Sequence, residues 1–136
     1  MKLWSRLQKG ETLEEGGRVF TPDMVLGRSR RGLHVTYATD TRPCEIIATM
    51  ASGADLLICE GMFEAEKAAR AREAAHMTMI VAARLAAAAE CRELWLTHFS
   101  PALPNPEDYI HEPRGVFKNT TIAFDGLSKS LNFDDE

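Results

Sequence analysis

The sequence lacks the long apolar run that a membrane-spanning helix requires. Such a helix needs about 20 predominantly apolar residues, whereas the longest candidate, Met77 to Glu90, is shorter and is interrupted by Arg84. The first residues also lack the apolar core and cleavage site of a secretory signal. We therefore expect a cytoplasmic protein with no membrane partner.

Cysteine is scarce and scattered. The three cysteines, Cys44, Cys59 and Cys91, are odd in number and form no C-x-x-C pair. A disulfide framework or a cysteine-based zinc site uses paired or closely spaced cysteines. We expect reduced, buried thiols, as in a cytoplasmic protein.

Basic residues are outnumbered, with 16 Lys and Arg against 20 Asp and Glu, for a net charge of −4. A protein that holds nucleic acid through its own surface usually carries a basic stripe. The one dense basic cluster is "GRSRRG", residues 27–32. Its spacing fits a solvated turn between strands or a loop that contacts phosphate, and does not decide between them.

The 136 residues are enough for one domain, 1–136, with a real hydrophobic core. Segments of strand length at residues 33–39, 54–60 and 93–98 alternate with helical stretches at 43–52 and 64–91. This alternation predicts an α/β fold with helices on at least one face of a sheet.

Turn-forming and capping residues refine the prediction. Gly16-Gly17 indicates a hairpin, preceded by a short strand or irregular segment over residues 1–10. The long helical stretch should break near His76. Asn105 followed by Pro106 is typical of a helix N-terminus, and residues 119–126 predict a last short strand.

Polar residues end three of the predicted strands, namely Asp40, Glu60 and His98. If these strands are parallel neighbours, their ends meet at one edge of the sheet, where α/β proteins bind ligands. His76, at the helix break, could reach the same edge. Carboxylate and imidazole suit zinc, iron or manganese, although two ligands are fewer than zinc usually takes.

Each of these residues also has a structural interpretation. Asp40 can be a turn or helix cap, His98 a hydrogen-bonded structural residue, and Glu60 a solvated residue before Gly61. His76 can be an exposed residue beside a helix N-terminus. The residues alone leave the structural and functional interpretations open.

Four segments occur in a recognisable order: "YATDTRP" (37–43), "ADLLICEGMF" (54–63), "AAHMT" (74–78) and "LWLTHFS" (94–100). In this order and spacing they resemble ribonuclease Z-like proteins of the metallo-β-lactamase fold. The resemblance covers residues 3–131, and it implies roles for the candidate site residues. Asp40 matches an aspartate that bridges two zinc ions, and His98 the last ligand histidine. His76 matches a histidine that serves as proton donor or transition-state stabiliser and that Glu60 orients. In such a site zinc activates the water that attacks a phosphodiester, and the main substrate is precursor tRNA, cut at its 3′ end.

The sequence departs from the family pattern at three places. Thr39 replaces a glycine and Cys59 a histidine; neither family residue is normally a ligand. The third departure is larger, because the main metal motif, His-x-His-x-Asp-His, does not occur in the sequence. The resemblance is therefore to the C-terminal half, which implies half of an αββα sandwich: one sheet with helices on one face.

This partial resemblance sets expectations about activity and partners. We expect the chain to be inactive alone, to bind zinc weakly or not at all alone, and to meet RNA only in a completed enzyme. The sheet face without helices should be apolar and should be covered by a separate N-terminal half or by a second copy. Strands carrying Leu56, Ile58, Leu94 and Leu96 should form it. The alternative is a non-catalytic scaffold protein that dimerises through that face.

Overall fold

A computed structural model describes residues 3–133, which fall into two compact units divided between Arg31 and Gly32. The first unit begins with helix α1, Leu3–Gln8, where we predicted a strand or irregular segment. Leu3 and Leu7, four residues apart, lie on one helical face, and Leu7 is buried. Burial of this face stabilises the helix. The mixed composition of the segment did not indicate a helix.

The predicted hairpin is confirmed in the first unit. Strands β1, Leu13–Glu15, and β2, Arg18–Phe20, pair antiparallel. Gly16 and Gly17 both take left-handed backbone angles, with φ of 59° and 74°, which a tight two-residue hairpin turn requires. A short 3₁₀ turn, Pro22–Met24, follows.

The second unit alternates strands and helices, as predicted. Its helices are α2 (Glu45–Met50), α3 (Ala68–Glu73), α4 (Met79–Ala88) and α5 (His111–Arg114), and its strands are β3 (Val35–Ala38), β4 (Leu56–Glu60), β5 (Leu94–Thr97) and β6 (Thr120–Ile122). Two 3₁₀ turns, Ala65–Lys67 and Pro106–Tyr109, precede α3 and α5. No helix within residues 3–133 is long and apolar enough to cross a membrane.

The four strands form one parallel sheet in the order β3-β4-β5-β6. Ile58 of β4 lies between Tyr37 of β3 and Trp95 of β5 in the register. The fold class is confirmed: this is an α/β unit whose strand carboxyl ends share one edge. The order β3-β4-β5 also places the strand that ends in Glu60 between those followed by Asp40 and His98.

The core lies between the sheet and the helices. Leu57 and Cys59 of β4 and Leu94 and Leu96 of β5 are fully buried. They belong to one cluster with α4 residues that are also fully buried, namely Met79, Ala82, Ala83 and Ala86. Three of those four are alanine, so the helix backbone can lie close to the strands.

The opposite face of the sheet is open at its β3 edge. Val35 and Tyr37 are 49% and 67% exposed, and Ile58 beside them is partly buried. We expected the strands that carry Leu56, Ile58, Leu94 and Leu96 to form this face. Strands β4 and β5 contribute Ile58 and Trp95 to it, whereas the Leu94 and Leu96 side chains lie on the helix-covered face. Both faces of β5 are apolar, so its sequence did not show which side faces the helices.

The predicted helix break near His76 is confirmed, and Asn105 lies at the predicted N-cap position with Pro106 in the first turn. Helix α3 ends at Glu73, and Ala75 takes a left-handed φ of 65° before α4 begins at Met79. Asn105 makes no capping hydrogen bond to the backbone. Its amide instead donates to the Asp108 carboxylate at 2.8 Å, because the segment begins as a 3₁₀ turn.

Candidate metal centre

Asp40 and His98 lie just beyond the carboxyl ends of β3 and β5, and both have left-handed backbone conformations. Their φ angles are 55° and 58°, a region that non-glycine residues rarely adopt and that costs free energy. The conformation ends each strand sharply. Although β4 separates the two strands, Asp40 Oδ1 lies 4.0 Å from His98 Nε2.

His76 is the third member of this group. Its Nε2 lies 3.7 Å from Asp40 Oδ1, and its ring centroid is 5.4 Å from that of His98. One potential ligand atom from each of the three side chains lies within 4.8 Å of the others. The side chains are 73%, 38% and 14% exposed for Asp40, His98 and His76 respectively, so the group opens to solvent on the Asp40 side.

Glu60 links the segments that carry the site residues through hydrogen bonds. Its side chain is fully buried. Oε1 accepts the Thr41 backbone N–H at 2.5 Å, and Oε2 accepts the Met77 N–H at 3.1 Å. His76 Nδ1 lies 3.1 and 3.2 Å from the two oxygens. The carboxylate therefore joins the residue after Asp40, His76 itself and the residue after His76.

The Glu60 contact also fixes the histidine tautomer. An ionised carboxylate only accepts hydrogen bonds, so Nδ1 of His76 must carry the proton in this contact. In the neutral ring, Nε2 then presents its lone pair near Asp40. The same carboxylate–histidine arrangement is common behind metal-bound histidines and behind catalytic histidines.

Gly61, which follows Glu60, packs closely against the start of α4 and against β5. A Cβ on Gly61 would lie 2.9 Å from Met79 Cγ and 3.1 Å from Leu96 Cδ2. The Gly61 N–H also donates to the Thr97 carbonyl at 3.0 Å. Only glycine lets the chain leave β4 this close to the first residue of α4.

Cys59, which replaces a histidine of the family pattern, belongs to the core. Burial, assisted by the charge of Glu60, raises the pKa of the Cys59 thiol to about 12. The thiol lies 3.9 Å from Met77 Sδ. Cys59 is part of the buried core cluster and does not belong to the group formed by Asp40, His76 and His98.

The structure brings together all four residues singled out in the sequence: Asp40, Glu60, His76 and His98. Their assignment to catalysis and metal binding stays a prediction. The sequence did not show the left-handed conformations of Asp40 and His98 or the backbone donors that hold Glu60. The donors leave no sequence signal, because almost all residues carry a backbone N–H.

Among the three converging side chains, the Asp40 carboxylate and the His98 imidazole are ligand types that zinc accepts. These two ligands are fewer than a zinc site usually takes. The mutual distances of the three side chains, 3.7 to 4.8 Å, leave room for an ion among them.

Two cavities adjoin the metal centre, and His76 lines both. The first has a volume of about 570 Å³, and its polar lining includes Glu64, Lys67 and Arg70. The second has a volume of about 370 Å³, and it lies among Arg42, α3 and the start of α4. The candidate centre is thus flanked on two sides by space for a ligand.

Curated relatives match nearly the whole chain. A ribonuclease Z from Lachnoclostridium phytofermentans is 52% identical over 135 residues, which is 98% of this chain and 44% of that protein. One from Agathobacter rectalis is 51% identical over 137 residues, covering 100% of this chain and 45% of that protein. The chain therefore spans less than half the length of these relatives.

Solved structures show the same fold. The metallo-β-lactamase fold protein YhfI from Bacillus subtilis superposes with a TM-score of 0.58 and 31% identity, covering 64% of this chain and 35% of that one. The short form of human tRNase Z gives a TM-score of 0.50 and 27% identity, covering 63% of this chain and 27% of that one. No protein-family model matches the sequence.

Proposed function

We propose that this chain, which corresponds to the C-terminal half of a ribonuclease Z-like protein of the metallo-β-lactamase fold, provides half of the active site of a zinc-dependent phosphodiesterase. Its proposed substrate is precursor tRNA, cut at the 3′ end. The observation that carries the proposal is the convergence of Asp40, His76 and His98, within 4.8 Å of one another, over the buried carboxylate of Glu60.

Each side chain has a proposed role that its surroundings support. Asp40 and His98 would hold zinc, which supplies Lewis-acid stabilisation and lowers the pKa of a bound water. His76, with Nδ1 tied to Glu60, would protonate the leaving oxygen of the phosphodiester from Nε2. Glu60 orients the His76 ring for this proton transfer.

We propose that the site is incomplete in this chain. A two-zinc site needs more ligands than Asp40 and His98, and the sequence has no His-x-His-x-Asp-His motif. The chain alone would then bind zinc weakly and be inactive. A separate N-terminal half in the cytoplasm would supply the missing ligands and cover the β3 face, where Val35 and Tyr37 are exposed.

A second candidate function rests on the same exposed face. Val35 and Tyr37 lie on β3, which is an edge strand of the sheet. Exposed apolar residues on an edge strand favour association with another chain. A second copy could cover the face, which would make the protein a non-catalytic scaffold that dimerises.

Complementation tests the first proposal. The chain is mixed with the N-terminal part of the Lachnoclostridium phytofermentans ribonuclease Z that it does not cover, and zinc content and precursor tRNA cleavage are measured. We expect a complex that retains zinc and cleaves. His98→Asn should lose zinc, whereas His111→Asn should behave as the parent, because the exposed His111 side chain contacts the Asp108 carbonyl and is not part of the proposed metal centre.

The same samples separate the two candidates. Zinc retention and cleavage by the chain alone would contradict the proposed incompleteness. A stable homodimer that ignores the N-terminal part would favour the scaffold. Tyr37→Asp should weaken whichever association occurs, because it places a charge on the apolar face.

A further inference from the structure

The second cavity beside His76 has a positively charged lining, although the protein as a whole is acidic. Its lining contains two cationic side chains, Arg42 and Arg72, and no acidic residue. The whole chain has a net charge of −4. The cavity therefore combines two guanidinium groups in an otherwise acidic molecule, which favours an anionic ligand.

The rest of the lining is mostly apolar, and it comes from three segments. Pro43 follows Arg42, Ala68 and Ala71 come from α3, and Val81 comes from α4. Ala68, Ala71 and Arg72 are spaced i, i+3 and i+4, so they lie on one face of α3. With a volume of about 370 Å³, the cavity is within the range of small-molecule sites.

The first cavity is less suited to an anion. Lys67 and Arg70 line it together with Glu64, whose carboxylate opposes a negative ligand. Arg70 also lies 3.6 Å from Glu73. The cavities on the two sides of α3 thus differ in the charge of their linings. The cavity lined by Arg42 and Arg72 favours an anion more strongly.

We propose that the cavity lined by Arg42 and Arg72 binds one nucleotide of the RNA substrate, next to the phosphodiester that is cut. The guanidinium groups would hold its phosphate, since arginine matches phosphate geometry and forms charge-assisted hydrogen bonds. The base or ribose would lie against the apolar lining, and base faces also stack on guanidinium planes. Because His76 lines the cavity, the bound nucleotide adjoins the proposed metal centre. This inference rests on the proposed function.

Binding to the zinc-free full chain tests the cavity without any cleavage. Adenosine 5′-monophosphate is titrated into ¹⁵N-labelled protein, with adenosine and inorganic phosphate as separate probes. We expect saturable shifts at the amides of Ala68, Ala71, Thr78 and Val81, and weaker binding of either partial probe.

Variants identify the groups responsible. The double variant Arg42→Gln/Arg72→Gln should weaken binding by about tenfold or more, because two charge-assisted contacts are lost. Both residues are exposed, so the fold should persist, and the corresponding double lysine variant should recover part of the affinity. Lys118→Gln is the matched control, since Lys118 precedes β6 at the opposite edge of the sheet; it should stay within twofold.

Three results would overturn the inference: no shifts at the cavity amides, equal weakening by Lys118→Gln, or binding of inorganic phosphate as tight as that of the nucleotide. The last result would leave the apolar lining without a role. Failure of complementation, by contrast, would refute the proposed function while nucleotide binding by the zinc-free chain still reports on the cavity.

Discussion

Replacing Glu60 by glutamine should destabilise the second unit, although the substitution is nearly isosteric. Each carboxylate oxygen accepts a different backbone donor: Oε1 accepts from Thr41 and Oε2 from Met77. A glutamine amide has one oxygen and one NH₂ group. In either orientation the NH₂ group faces one of these N–H donors, and that donor loses its acceptor.

The magnitude follows from the cost of an unsatisfied buried donor, about 1–3 kcal/mol. Removing the buried charge relieves part of its desolvation cost, but it also weakens the contacts to the donors that remain. We therefore expect the free energy of unfolding to fall by about 2 kcal/mol, a large share of the roughly 5–15 kcal/mol typical of a domain.

Urea denaturation followed by tryptophan fluorescence measures the effect. Trp4 lies in the first unit and Trp95 on β5 of the second, so a Trp4→Phe background lets Trp95 report on the unit that contains Glu60. With an m-value of about 2 kcal/mol per molar urea, the midpoint should fall by about 1 M. Glu73→Gln is the control, because that side chain is 70% exposed and should change the midpoint little.

A Glu60→Gln midpoint within about 0.2 M of the parent would contradict this role of Glu60. It would mean that the donors of Thr41 and Met77 find other acceptors, and that Glu60 does not tie the metal-site loop to the segment after His76.

Two further predictions follow from packing and burial. Gly61→Ala should lower the free energy of unfolding by about 1–3 kcal/mol, because the new Cβ would lie 2.9 Å from a Met79 side-chain atom. Gly32→Ala, where nothing lies within 4 Å, should be neutral in the same urea assay, and equal midpoints would contradict the packing argument. At pH 8, a thiol reagent should modify exposed Cys44 and spare Cys59, whose pKa burial raises to about 12. Rapid modification of Cys59 in the folded chain, read by mass spectrometry of peptides, would contradict its placement in the core.

Much of the fold could be predicted because its signals are local. The run at 54–60 is apolar and of strand length, so it gives β4 in any α/β arrangement, and Gly16-Gly17 gives the hairpin turn. The order of residues also predicted that polar groups end the strands. Helix α1 was missed because its stability comes from the burial of one face, and burial is not a local property.

The order of residues alone establishes which chemical groups are present and at which strand ends they lie. Asp40, Glu60 and His98 follow apolar runs, and His76 follows a helix, whatever the packing. Their meeting depends on how the strands pack together. Parallel pairing in the order β3-β4-β5 puts their strand ends side by side, and left-handed turns at Asp40 and His98 complete the approach. These features depend on contacts between residues distant in sequence. The free energy of those contacts offsets the cost of the left-handed backbone at Asp40 and His98.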